Sequence, residues 1–119
     1  MRDCATDGAP TVLVAEGDPL VRRTAARLLG RLGYRVAEAE DGPDALRLLT
    51  EPADIVALVT DADELVHLAH ELRPGLPAVL TDGFAGADAL AGLPPGTACL
   101  SKPYVGTDLA HALRQVLDA

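Results

Sequence analysis

The feature that most constrains the fold of this chain is a regular alternation of short apolar runs and segments with helical spacing. The apolar runs, which are typical of buried strands, cover residues 11–15, 55–60, 78–81 and 98–101, and an alternating pattern at 34–40 is typical of a less buried strand. The helical segments cover residues 19–32, 43–50, 63–72, 87–91 and 107–117. This alternation predicts an α/β fold: a (βα)5, doubly wound, five-stranded parallel sheet with helices on both faces.

Length and composition fit one domain with an aliphatic core. The 119 residues fall in the common size range of single domains. Aromatic residues are only 3% of the chain, so Leu, Val, Ile and Ala must fill the core, as in helices packed on a parallel sheet. We expect residues 1–10 to form a flexible N-terminal tail and residues 11–119 to form the domain.

The charge balance argues against binding of nucleic acid. The formal net charge is −8, whereas phosphate contacts need clustered Lys and Arg. Positive charge does cluster on the first helical segment, where a solvated face is the expected location. This cluster consists of Arg22, Arg23, Arg27 and Arg31. No apolar stretch is long enough to span a membrane and no signal peptide is evident, so a cytoplasmic protein without a membrane role is expected.

Polar residues follow four of the predicted strands at their carboxyl ends, where open parallel sheets collect ligands. They are Glu16, Asp61, Asp82 and Lys102. Carboxylate oxygens suit Mg²⁺, a lysine can neutralise a phosphoryl group, and a carboxylate can act as a nucleophile. Asp61 has a second interpretation, as the N-cap of the helix that follows it.

With these positions, the chain resembles the response-regulator receiver domain, the phospho-acceptor module of two-component signalling. The resemblance covers residues 11–117. Its strongest segments are VLVAEGDPLVR at 12–22, GYRV at 33–36, EDG at 40–42, AL at 45–46, LVTD at 58–61, LPAVL at 76–80 and LSKPY at 100–104. The resemblance implies the flavodoxin-like receiver fold.

The resemblance also implies a role for individual residues. Asp61 matches the phospho-acceptor, Glu16 the first of two metal-binding acids, and Lys102 the family's lysine. Pro103 follows that lysine in a peptide bond that is usually cis in the family. The implied partners are a histidine kinase or phosphotransfer protein, or a downstream effector protein. The chain would be a monomer or a weak dimer through the face formed by residues 98–117.

Several positions depart from the family pattern. Gly17 stands where the second metal-binding acid is expected, and Asp82 replaces the Thr or Ser that grips the phosphoryl group. Cys99 replaces the aromatic switch residue, and the loop after Asp61 is short. The acceptor pocket is therefore atypical.

The missing acid leaves a reduced set of metal ligands. Glu16, Asp61 and Asp63 are the residues that would hold Mg²⁺ in such a pocket. Because glycine offers no ligand at position 17, we expect Mg²⁺ binding to be weakened or absent.

Three functions stay open from the sequence. The first is a single-domain response regulator that accepts a phosphoryl group on Asp61. The second is a pseudo-receiver that works through protein contacts without phosphorylation. The third is an aspartate-nucleophile phosphatase, because the pair Asp61 and Asp63 resembles the paired aspartates of such enzymes. The chain has no room, however, for the additional cap segment of that family. We expect no enzyme activity beyond self-phosphorylation and dephosphorylation at Asp61. We expect His67 and His70 to lie on a solvated helix face.

Overall fold

The computed structural model describes residues 10–50, 55–81, 92–100 and 105–117. Within them, strands and helices alternate along residues 11–81, and a strand and a helix follow within residues 92–117. The elements are β1 (Thr11–Ala15), α1 (Pro19–Arg31), β2 (Arg35–Ala39), α2 (Gly42–Thr50), β3 (Ile55–Thr60), α3 (Asp63–Leu72), β4 (Ala78–Thr81), β5 (Thr97–Leu100) and α4 (Gly106–Leu117).

All five strands form one parallel sheet in the order β2-β1-β3-β4-β5. The chain first moves outward from β1 to β2 and then returns past β1 to build β3, β4 and β5. The direction of winding therefore reverses between β1 and β3, and a crevice opens there at the carboxyl ends of the strands. The predicted fold class is confirmed.

Helices cover both faces of the sheet because the side chains of each strand alternate between two cores. On one face, Leu13 and Leu58 pack with buried residues of α2 and α3. On the other face, Val14 and Val59 pack with buried residues of α1 and α4. These strand residues are at most 2% exposed, so the strands are buried on both sides, as expected for a parallel sheet.

The first helix begins at the residue that the sequence indicates and ends at Arg31, one residue earlier than expected. Asp18 is the N-cap of α1: its Oδ1 accepts hydrogen bonds from the backbone N–H of Leu20 at 2.9 Å and of Val21 at 3.4 Å. Pro19 occupies the first turn, where its missing N–H costs nothing. After α1, Gly33 adopts a φ of 98°, a left-handed conformation that glycine tolerates best.

Some sequence expectations fall outside the described residues, namely most of the tail at 1–10 and the short helix at 87–91. Pro10, the last residue assigned to that tail, accepts a hydrogen bond on its carbonyl oxygen from the N–H of Arg35 at 2.9 Å. In the described part of the chain, every helix is too short or too polar to cross a bilayer.

Candidate functional site

Glu16 and Asp61 lie directly after two neighbouring strands of the sheet. β1 and β3 pair in parallel, and Ala15 at the end of β1 is in register with Thr60 at the end of β3. Glu16 and Asp61 are the next residues of these two strands. Because paired strands lie about 4.8 Å apart, both residues begin at the same crevice. The sequence prediction that these acids share one edge of the sheet is therefore supported by the topology.

Glu16 is held closely at this edge. It is only 6% exposed, and its N–H donates to the carbonyl oxygen of Ala39 at the end of β2 at 3.2 Å. Its own carbonyl oxygen accepts a hydrogen bond from Nη1 of Arg22 at 2.9 Å. The backbone of the β1–α1 loop is thus fixed between β2 and α1.

Arg22 is the residue that sequence reasoning misplaced. The four arginines of α1 were expected on a solvated face, but the Arg22 side chain is only 16% exposed. Besides its bond to Glu16, its Nε donates to Oε1 of Glu38 on β2 at 3.3 Å. The physical reason is that α1 packs beside β2, so that the first turn of the helix faces the loop after β1. The sequence feature that could have indicated this contact is the acid at position 38, which lies on the edge strand β2.

Gly17 leaves room for the acid that the family pattern would have. Its backbone is not in the left-handed region. The nearest atom to a Cβ built at this position is the carbonyl oxygen of Glu40 at 3.7 Å, an ordinary van der Waals distance. The fold therefore does not require glycine here. Asp18, the next acid, is engaged through its Oδ1 in capping α1.

Asp61 is not the N-cap of the helix that follows, so that interpretation is wrong. Ala62 occupies the N-cap position: its carbonyl oxygen accepts hydrogen bonds from the N–H groups of Leu65 and Val66. No side chain caps this helix at its N-cap position. The N–H of Ala62 instead donates to Oγ1 of the buried Thr60 at 3.2 Å. Asp61 is exposed and lies one residue before the cap.

Asp63 is the first residue of α3 and is exposed. Together with Glu64 it puts two acids into the first turn, where the helix dipole stabilises negative charge. This is a sufficient structural role for Asp63. The short link from Asp61 to α3 that the sequence indicates is confirmed, since only Ala62 separates them.

The fit of this edge to Mg²⁺ depends on how many carboxylates it brings together. In the ranges that the structure describes, no three His, Cys, Asp and Glu side chains are gathered so as to hold a metal ion. Metal binding by Glu16, Asp61 and Asp63 therefore stays a prediction, and it has no preformed three-carboxylate site in this part of the chain to support it.

Asp82, Lys102 and Pro103 lie outside the described residues. The strand ends that precede them are described: Thr81 of β4 is in register with Leu100 of β5, and Thr81 is 1% exposed. Cys99 of β5 is half-buried and packs against the core on the side of α2 and α3, whereas α4 lies on the other side.

The comparisons with known proteins agree on one family. No family model matches the chain. It is 35% identical over 117 residues to the response regulator receiver protein CpdR of Brucella abortus, covering 91% of this chain and 97% of CpdR. It is also 31% identical over 127 residues to the sensor kinase CckA of Brucella abortus, but spans only 13% of that longer protein.

Solved structures give the same result. A response regulator receiver protein from Sinorhizobium medicae superposes with a TM-score of 0.84 at 26% identity, covering 94% of this chain and 97% of that one. The receiver domain of the hybrid histidine kinase CckA superposes with a TM-score of 0.74 at 30% identity, covering 90% of this chain and 98% of that one. With a relative of nearly its own length and the five-stranded fold of these structures, the chain belongs to the response regulator receiver domains of two-component signalling.

Proposed function

We propose that Asp61 is the phospho-acceptor of this receiver domain and that Gly17 makes the acceptor pocket atypical. The observation that carries the proposal is the register of β1 and β3, which starts Glu16 and Asp61 at one crevice. Asp61 is also exposed and is not the N-cap of α3, so a phosphoryl donor can approach its carboxylate.

The donor in this proposal is a histidine kinase or a phosphotransfer protein that carries a phosphohistidine. A carboxylate oxygen of Asp61 attacks the phosphorus, a new O–P bond forms, and the P–N bond breaks. The leaving imidazole nitrogen keeps the electron pair of that bond. It takes up a proton if the other ring nitrogen does not already carry one. Bound Mg²⁺ would neutralise charge on the phosphoryl oxygens. Glu16 and Asp61 are the described residues best located to hold it, and Asp63 follows Asp61 by two residues at the start of α3.

The weakness of the pocket is that it has too few carboxylates to hold a compensating cation firmly. A phosphoryl group adds negative charge beside Glu16 and Asp61, and glycine at position 17 supplies no further carboxylate to hold a compensating cation. Phosphorylation of Asp61 should therefore be slow and should need a high concentration of Mg²⁺. Any turnover of phosphate is limited to the formation and hydrolysis of the Asp61 acyl phosphate.

The proposal is tested by restoring the missing acid. We expect the Gly17→Asp variant, incubated with acetyl phosphate and Mg²⁺, to acquire a phosphoryl group at least about tenfold faster than the wild type, because even outer partners of a metal change its affinity about 10–100-fold. The measurement is intact mass over time. Gly17→Ala is the matched control, since it adds the Cβ without the carboxylate, and Asp61→Asn should abolish the adduct in both backgrounds.

A second candidate is a pseudo-receiver that acts through protein contacts alone. It is favoured by Gly17, because the backbone there would accept an acid and the chain nevertheless lacks one. The same experiment separates the two. If neither the wild type nor Gly17→Asp forms an adduct, Asp61 is not an acceptor and the pseudo-receiver is the better description. Sustained hydrolysis of p-nitrophenyl phosphate that is lost in Asp61→Asn would instead support the phosphatase alternative.

A further inference from the structure

Among the residues that the structure describes, α2 and α3 leave a groove between them. Its volume is about 580 Å³. The apolar part of its lining consists of Pro43 and Leu46 from α2 and of Leu68 and Leu72 from α3, and the polar part includes Arg47 and Glu71. We call this surface the α2–α3 groove.

The two leucines of α3 are the reason to consider this groove as a binding surface. Leu65 and Ala69 of the same helix are buried in the core at 4% and 1% exposure. Leu68 and Leu72, one helical turn apart, are 39% and 46% exposed and line the groove instead. They extend the apolar side of α3 beyond what the core covers.

The charge around the groove is one-sided. On α2, Nη2 of Arg47 pairs with Oδ1 of Asp44 at 2.6 Å, so this basic group is balanced within its own helix. On α3, Glu71 lines the groove, and Glu64 lies one turn before Leu68 on the exposed surface. Neither glutamate makes an ion pair with another described residue. The α3 side of the groove is therefore acidic.

We propose that the α2–α3 groove binds an amphipathic helix of a partner protein. That helix carries leucine-like side chains on one stripe and Lys or Arg beside the stripe. Helix-in-groove recognition uses anchors at spacings of three and four residues. α2 and α3 have 9 and 10 residues. The lining of the groove on α2 runs from Pro43 to Thr50, which at a rise of about 1.5 Å per residue is about 11 Å, or two turns of helix.

A second copy of this chain is a poorer occupant. An isologous contact would bring two acidic α3 rims together, in a chain whose net charge is already −8. A basic helix gains from the same charges. The groove also lies on the α2 and α3 side of the sheet, whereas α4 lies on the other side.

The test uses a synthetic probe with the proposed chemistry. It is a fluorescein-labelled helical peptide of about 14 residues, with Leu at every third or fourth position and Lys on both sides of that stripe. We expect saturable binding in fluorescence anisotropy. Leu68→Ser/Leu72→Ser should weaken it at least tenfold, and Leu20→Ser, at a leucine that is 77% exposed on α1, should leave it unchanged.

A second variant tests whether the acidic residues of α3 select a basic peptide. Glu64→Lys/Glu71→Lys should weaken binding of the basic peptide and create binding of a matched peptide in which Glu replaces Lys. These substitutions change exposed residues only, so they keep the test valid if the leucine variant does not fold.

Three results would overturn the proposal: no binding by the wild type, equal binding by the leucine variant, or equal binding of the acidic peptide by the wild type. A concentration-dependent dimer in sedimentation that Leu68→Ser/Leu72→Ser abolishes would also overturn it, since the occupant would then be a second copy.

Discussion

Arg22 joins three parts of the molecule through one guanidinium group. It lies on α1, donates to the carbonyl oxygen of Glu16 at 2.9 Å, and donates to the carboxylate of Glu38 on β2 at 3.3 Å. Its neighbour Arg23 also approaches Glu38, but at 3.9 Å and with 70% of its side chain exposed. The two arginines therefore differ in burial and geometry while sharing a helix and a partner.

Removal of these two arginines should have unequal effects. We expect Arg22→Ala to lower the free energy of unfolding by about 1–3 kcal/mol, because it leaves the part-buried carbonyl oxygen of Glu16 without this donor. Arg23→Ala should change it by less than about 0.5 kcal/mol, as is usual for an exposed and screened pair. Urea unfolding measures both values. Equal losses would mean that the Arg22 contacts are no stronger than an ordinary surface pair.

The individual site residues show what a single sequence can and cannot give. The sequence is sufficient to recognise Asp18 as a helix cap, because an acid directly before a proline such as Pro19 is a strong signal for the start of a helix. Asp61 stayed ambiguous, since a cap at position 61 or at 62 gives the same sequence pattern. Arg22 was misplaced because helical spacing tells which residues share a face but not which strand or loop lies against that face.

At the scale of elements, α1 offers two glycines with opposite requirements. Gly30 lies within the helix, and no atom lies within 4 Å of a Cβ built there. Gly33, just after the helix, has a φ of 98°. A side chain is compatible with the first position and strained at the second.

These two positions predict shifts of opposite sign. Gly30→Ala should raise the free energy of unfolding by about 0.5–1 kcal/mol, because alanine restricts the unfolded chain and favours the helix. Gly33→Ala should lower it by about 1 kcal/mol or more, because alanine is strained at positive φ. Thermal and urea unfolding of the two single variants measure the difference. Destabilisation by Gly30→Ala would contradict the open space seen around that residue.

The elements themselves could largely be predicted from the sequence. β3, α3 and β4 have the predicted bounds, because each is marked by a change from apolar to polar residues or by a proline such as Pro77. α2 and α4 begin one residue earlier than expected, at Gly42 and Gly106, because glycine gives no helical signal of its own. The α2–α3 groove could not be predicted, since it depends on how closely two helices approach.

At the scale of the whole molecule, the sheet separates two surfaces. α1 and α4 cover one face, and α2 and α3 cover the other. α4 and the α2–α3 groove therefore lie on opposite sides of the sheet. The crevice with Glu16 and Asp61 lies at the edge between them, where β1 and β3 end.

The charge of the whole chain sets its response to salt, and Gly17 should determine whether Mg²⁺ has an effect beyond screening. A net charge of −8 repels itself, so any salt should stabilise the fold. At matched ionic strength, NaCl and MgCl₂ screen alike. A remaining difference in the free energy of unfolding between the two salts therefore measures specific binding of Mg²⁺. We expect this difference to be small for the wild type, which lacks a carboxylate at position 17.

Gly17→Asp should lower the stability of the fold in NaCl and make that stability depend on Mg²⁺. Its charge of −8 − 1 = −9 places a further acid beside Glu16, so the variant should be less stable than the wild type in NaCl. Mg²⁺ at ten times its Kd should then add about 1.4 kcal/mol, because a ligand that binds only the folded state stabilises it. Gly17→Ala should show neither effect. A Mg²⁺-specific gain in the wild type as large as that of Gly17→Asp would show that glycine at this position does not weaken the metal site.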